Sequence, residues 1–422
     1  MMPNGWLKTD LNPFIDIKHG FAFKSEYFRE EGEYVLLTPG SFYEPGGFRD
    51  QKNKTKYYVG DIPKGYLLSK GELLVAMTEQ AAGLLGSTLF VPSHDRYLHN
   101  QRLGLIQIKD KNGICPEFLY LTYNSPYVRK QIAEQSTGTK VKHTSPDKLK
   151  SVICLLPPLP EQRKVAQILS TWDTAIATTE KLIETSKQQK KALMQQLLTG
   201  KKRLGIESGT YSFQKTRYGD IPQDWEYPSI REICSQYSQK NIDNKELPVL
   251  SCSKHLGFVD SLKYFKKRVY SDDTSGYKVI PLNFFGFPSN HIEEGSIGLQ
   301  RVYDYGIVSP IYVVFQSDSK RVDNEYLFSV LKTEHYRQIF CAATNASVDR
   351  RGSLRWKEFS AIHVPLPSLE EQQKIAAVLK AADKEIDVLE AKLAHFKQEK
   401  KALMQQLLTG KRRVKVEEME VA

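Results

Sequence analysis

The sequence predicts a duplicated α/β protein: two globular α/β segments separated by two long antiparallel coiled-coil helices, with a pseudo-twofold internal repeat. Three observations carry this expectation. The twelve residues KKALMQQLLTGK occur twice, at Lys190–Lys201 and Lys400–Lys411. Around them, Glu161–Lys201 aligns with Glu371–Lys411 at a constant offset of 210 without a gap, and 22 of the 41 positions are identical. At 422 residues the chain also exceeds the size at which one hydrophobic core keeps growing. The expected divisions are a first globular domain over 1–156, a first long helix within 157–204, a second globular domain over 205–366, a second long helix within 367–414, and a short tail over 415–422.

The first globular segment mixes short β-rich runs, such as Glu33-Tyr-Val-Leu-Leu37, with Gly and Pro punctuation and a few helical stretches. Pro157, Pro158 and Pro160 then mark the entry to the first helix, because a fixed proline φ suits a first turn and not an interior. From Val165 onward, apolar residues alternate at spacings of four and three, which gives Leu169, Ile176, Ile183, Leu193 and Leu197 as packing positions. Thr199-Gly200 ends the helix, with glycine where a left-handed residue is wanted and basic residues following. The interval Glu161–Thr199 corresponds to roughly 58 Å of rod.

The second globular segment has the same mixed character, with Ile311-Tyr-Val-Val-Phe315 as a β-rich run. Its last third corresponds loosely to that of the first: Glu117-Phe-Leu-Tyr120 matches Glu325-Tyr-Leu-Phe328, and both segments reach their helix through a Pro-containing approach. Elsewhere the two diverge. In the second helix, Ser368-Leu-Glu-Glu371 predicts a capping box. Its seam repeats at Leu379, Ile386, Leu393, Leu403 and Leu407, and it ends at Thr409-Gly410. Pairing the two helices antiparallel satisfies both seams inside one chain and sets the globular segments at opposite ends.

Lys plus Arg total 60 against 49 Asp plus Glu, a net charge of +11, which favours polyanionic partners. No apolar run is long enough for a membrane span, and the N-terminus lacks the basic-then-apolar opening of a secretory signal, so a cytoplasmic protein without membrane contact is expected. Cys115, Cys154, Cys234, Cys252 and Cys341 are scattered and lack a C-x-x-C pair, indicating buried thiols and no metal site. Catalytic signatures are incomplete. Gly209–Thr216 resembles a phosphate-binding loop, but Gln214 stands where the second glycine belongs. Pro146-Asp147 lacks the acidic-x-Lys triplet of a nuclease and reads as a turn before a helix. Asn12-Pro-Phe14 and Phe285-Gly-Phe287 are only fragments of an amino-methyltransferase loop.

Each globular segment does carry cations interleaved with amides, hydroxyls and aromatics shortly before its helix. In the first, Gly138–His143 supplies Lys140, Lys142 and His143; in the second, Asp349–Trp356 supplies Arg350, Arg351 and Arg355. Asn100, Gln101 and Arg102, and Lys254 with His255, add groups suited to base edges and phosphates. Helices done twice alike and globular segments done two ways suggest two readers on one frame.

Taken together, Leu155-Leu-Pro-Pro-Leu-Pro-Glu-Gln162 entering a helix that ends LMQQLLTGK, repeated at Pro365–Lys411, resembles the specificity subunit of type I restriction-modification systems. Gly20–Ser25, Lys70–Val75 and Gly219-Asp-Ile-Pro-Gln-Asp-Trp225 are similar to that family's motifs, and Lys24 joins the candidate DNA contacts. The first segment departs from the pattern, having only Gly5-Trp6 in place of the longer opening. The resemblance implies two target recognition domains, each reading one half of an asymmetric bipartite duplex, and a non-catalytic chain with no cofactor of its own. It further implies two methylation subunits bearing S-adenosylmethionine, docked on the paired helices, with restriction subunits outside them. A two-subunit system whose partner both cleaves and methylates, and a coiled-coil scaffold without DNA function, are the alternatives.

Overall fold

Alternating apolar residues build the same four-stranded antiparallel sheet twice. The structure, a computed structural model, describes residues 3–79, 83–207, 209–254, 256–344 and 353–416. It divides into two units, 1–180 with 391–422 and 181–390. In the first unit the strand order is Ile15–His19, Leu103–Ile108, Leu73–Ala76, Thr88–Phe90. In the second it is Cys234–Tyr237, Tyr312–Ser317, Phe285–Pro288, Gly298–Leu299. The period of two sorts the side chains onto opposite faces. Leu73 and Val75 join the core beneath the helices, whereas Leu74 and Ala76 join a second core. Likewise Val313 and Phe315 face one core and Tyr312 and Val314 the other.

That second core lies under a second β layer. In the first unit Tyr97–His99 has Tyr34–Leu37 parallel on one side and Leu67–Leu68 antiparallel on the other. In the second, Tyr305–Val308 has Lys278–Pro281 antiparallel, and Val249 makes a parallel bridge to Ile307. The two globular segments therefore share one frame almost throughout, although only their last thirds match in sequence.

Three helices precede the long helix at matching places in each frame, and the second domain adds two short ones. The first unit has α1 (Pro116–Tyr123), α2 (Pro126–Gln135) and α3 (Pro146–Lys150), followed by the long α4 (Leu159–Leu197). The second domain contributes the short α5 (Ile230–Ile233) and α6 (Ser261–Phe265), then α7 (Asn324–Leu331), α8 (Glu334–Ala343) and α9 (Trp356–Phe359) before α10 (Leu369–Leu407). Side-chain caps recur at equivalent places: Ser125 Oγ accepts from the Val128 amide ahead of α2, and Thr333 Oγ1 from Tyr336 ahead of α8. Pro146 and Asp147 form the first turn of α3, as expected of a turn entering a helix.

Both long helices cross the division at 180/181 and 390/391. Each unit thus holds the first part of one helix beside the last part of the other, antiparallel. In the first unit Asp173 pairs with Lys400, Glu180 with Lys397, and Trp172 meets Phe396 edge-on at 5.6 Å. In the second the same pairs return with roles exchanged: Lys190 with Asp383 and Lys187 with Glu390. The seam residues Leu169, Ile183, Leu197, Leu379, Ile386 and Leu407 are buried, and Ile176, Leu193, Leu393 and Leu403 are half-buried.

The helix entries and exits form a repeated collar. Gln162, fully buried, donates to the carbonyls of Gly113 and Pro157 at 2.7 and 2.9 Å and accepts from the Cys115 amide at 3.0 Å. Gln372 does the same with Arg321, Pro367 and Asp323. Beside them Glu371 accepts from Arg203 and from the Trp225 indole, and Glu161 from Arg413 and the Trp6 indole. Gly200 and Gly410, at φ +68° and +69°, lie against Pro222 and Pro3.

Two expectations need correction, on the capping box and on the thiols, and the short opening of the first domain has a structural answer. The capping box is half made: the Glu371 amide donates to Ser368 Oγ at 3.3 Å, but the Glu371 carboxylate is taken by Arg203 and does not reach back. The short opening of the first domain causes no loss of packing, because Pro3 and Trp6 occupy the places of Pro222 and Trp225. And not every thiol is buried: Cys252 is half-buried and Cys341, on α8, is exposed.

Candidate nucleic-acid interface

In both units the described candidate contacts other than Lys24 lie around the connection that follows one inner strand of the sheet, Leu73–Ala76 in the first and Phe285–Pro288 in the second. In the first, the chain turns tightly at Asn100–Arg102, where Asn100 Oδ1 accepts from the Arg102 amide at 2.9 Å. Phe21 bridges Asn100 on one side, with its amide donating to His99 and its carbonyl accepting from Gln101, both at 2.9 Å. On the other side the Met77 amide donates to the Arg102 carbonyl, and the Met77 carbonyl accepts from Thr144. Thr78–Glu79 then pairs antiparallel with Lys142–His143. Backbone ladders thus bring Asn100–Arg102 and Lys140–His143, far apart in sequence, to either side of Met77.

Two glycines make the geometry possible. A Cβ on Gly20 would lie 2.0 Å from the Asn100 carbonyl oxygen, so only glycine allows this approach. Gly138, at φ +102°, turns the basic loop back so that Thr137 and His143 exchange backbone hydrogen bonds. Gln101, Arg102, Lys140 and His143 are exposed as a result, and Lys142 and Asn100 half-buried. Lys24 is also exposed, 3.8 Å from Glu26, beyond the Phe21 bridge.

The second unit repeats the arrangement at Ser289. Its carbonyl accepts from the Leu354 amide as Met77 accepts from Thr144, which leaves the adjacent Arg355 exposed at the start of α9. Lys254 is exposed in the turn between Leu250–Ser253 and Gly257–Asp260. Its carbonyl accepts from Lys332 Nζ at 2.8 Å, and the same ammonium donates to Gly295 at 2.9 Å. Lys254 and Arg355 therefore border one loop, 289–295. His255, Arg350 and Arg351 lie outside the described residues.

Burial sets the titration of several side chains near these loops and in the cores. Burial pushes the Cys154, Cys234 and Cys252 thiols up to about 12 and the Tyr120 and Tyr312 phenols up to about 12, so none of these is a ready nucleophile or base at neutral pH. His99 is fully buried, and burial lowers it to about 4 while its Nε2 lies 2.9 Å from the Leu103 carbonyl. The imidazole is a neutral strut behind the Asn100 turn. His291, Glu293 and Glu294 bring ligand atoms within 4.8 Å of one another, but in an exposed 3-10 turn where His291 and Glu294 already face each other.

Sequence reasoning passed over the basic and aromatic run Ser261-Leu-Lys-Tyr-Phe-Lys-Lys-Arg-Val-Tyr270, in which every residue from Leu262 to Val269 is exposed. Four cations and three aromatics without an acid are legible in the sequence; their exposure is not.

Comparison with known proteins follows the same lines. The chain matches the family model for the type I restriction modification DNA specificity domain twice, over residues 3–188 and 222–398. It is 28% identical over 335 residues to the type I restriction enzyme MjaVIII specificity subunit of Methanocaldococcus jannaschii, covering 74% of each chain. It is 25% identical over 407 residues to the EcoBI specificity subunit of Escherichia coli, covering 88% of this chain and 78% of that one. Its fold is similar to the crystal structure of a type I restriction-modification S subunit from M. genitalium, with TM-score 0.58 at 14% identity over 97% of this chain and 98% of that one. A second neighbour, the HsdS subunit from Thermoanaerobacter tengcongensis, gives TM-score 0.51 at 16% identity over the same shares. With a family domain matched in each half and a long helix closing each, the chain belongs to the DNA specificity subunits of type I restriction-modification systems.

Proposed function

We propose that this chain reads an asymmetric bipartite duplex, one half with each globular domain, and contributes no catalytic group of its own. The observation that carries the reading is one frame built twice with unlike surfaces. A shared frame suits two copies of the same partner, and unlike surfaces suit two different half-sites. In this reading the paired helices dock two methylation subunits, which supply S-adenosylmethionine, and act as the spacer that sets the unread gap. Restriction subunits join outside them, and the assembly works in the cytoplasm. Asn100–Arg102 with Lys140–His143, and Lys254 with Arg355, are candidate contacts to base edges and phosphates.

Mapping methylated bases in DNA from cells that express the chain with its methylation partner tests this directly. The expected pattern is two short, different motifs at a constant separation. Exchanging residues 205–366 for those of a relative should change one motif and leave the other. A single continuous motif, or a change in both motifs, would overturn the reading. Binding of the assembled complex should also weaken steeply with salt, by about −0.9 in the log–log slope for each phosphate neutralised.

A further inference from the structure

Among the places where the two frames differ, one is the connection between the same two strand positions in each. In the first unit it is the stretch 38–66, between the parallel strand Tyr34–Leu37 and the antiparallel strand Leu67–Leu68. In the second it is 250–277, between the parallel bridge at Val249 and the strand Lys278–Pro281. The stretches are nearly equal in length but unlike in form. The first holds two 3-10 turns, Pro39–Ser41 and Lys52–Lys54, and the short strand Tyr57–Tyr58. The second holds a hairpin and then α6.

The second stretch presents an unusual surface. In α6 only Ser261 is buried, while Leu262, Tyr264 and Phe265 are 52%, 48% and 42% exposed and Val269 46%. This segment is held in place, not loose. Asp260 accepts from the Lys263 amide at 3.0 Å, Tyr303 Oη donates to Asp260 Oδ2 at 2.8 Å, and Lys263 Nζ donates to Tyr303 Oη at 2.9 Å. Ser251 and Ser261 hydroxyls meet at 2.7 Å underneath. The helix stops at Lys266 in the left-handed region, φ +53°; Lys266 and Lys267 are exposed beside the rings, while Arg268 lies 5.0 Å over the Tyr270 ring and pairs with Asp272. No carboxylate occurs between Ser261 and Ser271.

We infer that Ser261–Tyr270 is the surface with which the second domain grips duplex DNA at its half-site. This rests on the proposed role in reading a bipartite target and names the element that does it in one half. Cations beside flat apolar faces fit phosphates flanking base and sugar surfaces. An acidic protein face offers similar charge, but position argues against it. A partner that docks twice needs a feature present in both units, whereas this element occupies a place where the units differ. Sequence discrimination belongs where they differ.

The test uses the full chain assembled with its methylation subunits and a fluorescent duplex carrying the mapped target. Salt-dependent binding by the unaltered complex examines the underlying reading; without it, both that reading and this inference fail. Given such binding, K266A/K267A should lower affinity about tenfold at moderate salt and reduce the slope of log K against log salt by about 2. Tyr264→Ala should relax base preference in the second half-site alone, read from the methylation map. Assembly with the methylation subunits should be unchanged in both variants. Unaltered affinity, slope and map in these surface variants would overturn the inference, as would loss of assembly, which would mark the surface as a protein-docking face.

Discussion

Arg203 holds Glu371 across 168 residues of chain, with Nε 2.9 Å from Oε1 and Nη2 2.6 Å from Oε2, while its Nη1 reaches Asp224 at 2.7 Å. The hydrogen bonds that the guanidinium donates to Glu371, and then to Asp224, raise it well above its ordinary value. The pair is buried at the point where the exit of α4, the opening of the second domain and the entry of α10 meet. Removing one partner leaves a buried charge facing only the Trp225 indole. Arg203→Ala should therefore cost about 3–5 kcal/mol. Urea unfolding followed by circular dichroism measures this. Arg413, which pairs with Glu161 from a more exposed position, should cost less when replaced.

Leu407 lies near the C-terminal end of the chain but is buried in the core of the first domain, with Leu169 and Leu156. Leu407→Ala should destabilise by about 2–5 kcal/mol. Amide exchange should quicken within 1–180 and stay unchanged within 205–366. Leu197, its image, is buried with the second domain's core, so Leu197→Ala should give the reverse pattern.

Gly20 faces the Asn100 carbonyl with no room for a Cβ. Gly20→Ala should push the Asn100–Arg102 turn aside at a cost of about 1–3 kcal/mol. The methylation map should lose discrimination in the first half-site before the second.

Burial of His99 makes stability depend on pH. Its pKa falls from an ordinary value of 6.5 to about 4 in the fold, so between these values the unfolded chain binds the proton and the folded chain does not. The contribution is complete above about pH 6.5 and is lost progressively toward pH 4, by about 3 kcal/mol in all. Replacing His99 by Gln should flatten the pH dependence of the unfolding midpoint in that window. An unchanged slope would place the dependence elsewhere.

The helices were legible because their signal is local and repeated. The spacing from Leu169 to Leu197, the glycines at 200 and 410 and the 210-residue offset need no knowledge of distant contacts. The candidate contacts were only partly legible. Lys140–His143 and Asn100–Arg102 announce themselves by composition, but their meeting on either side of Met77 depends on strand pairing across many residues, which composition does not encode. Glu371 shows the limit most plainly. Its position after Ser368 predicts a local cap, yet a buried arginine on another segment offers a stronger partner, and the carboxylate turns to it.

The sequence by itself determined that the chain is doubled, that its helices are long and seamed, and that its two globular parts differ, since periodicity and identity are properties of the string. Only the tertiary structure decided that each part builds its own copy of the same four-stranded sheet, that each core is closed by the end of the other's helix, and that the stretches 38–66 and 250–277 take unlike forms at one shared position. Such pairings are made between residues remote in sequence, where many different apolar side chains fill the same space, so a frame outlasts the residues that build it.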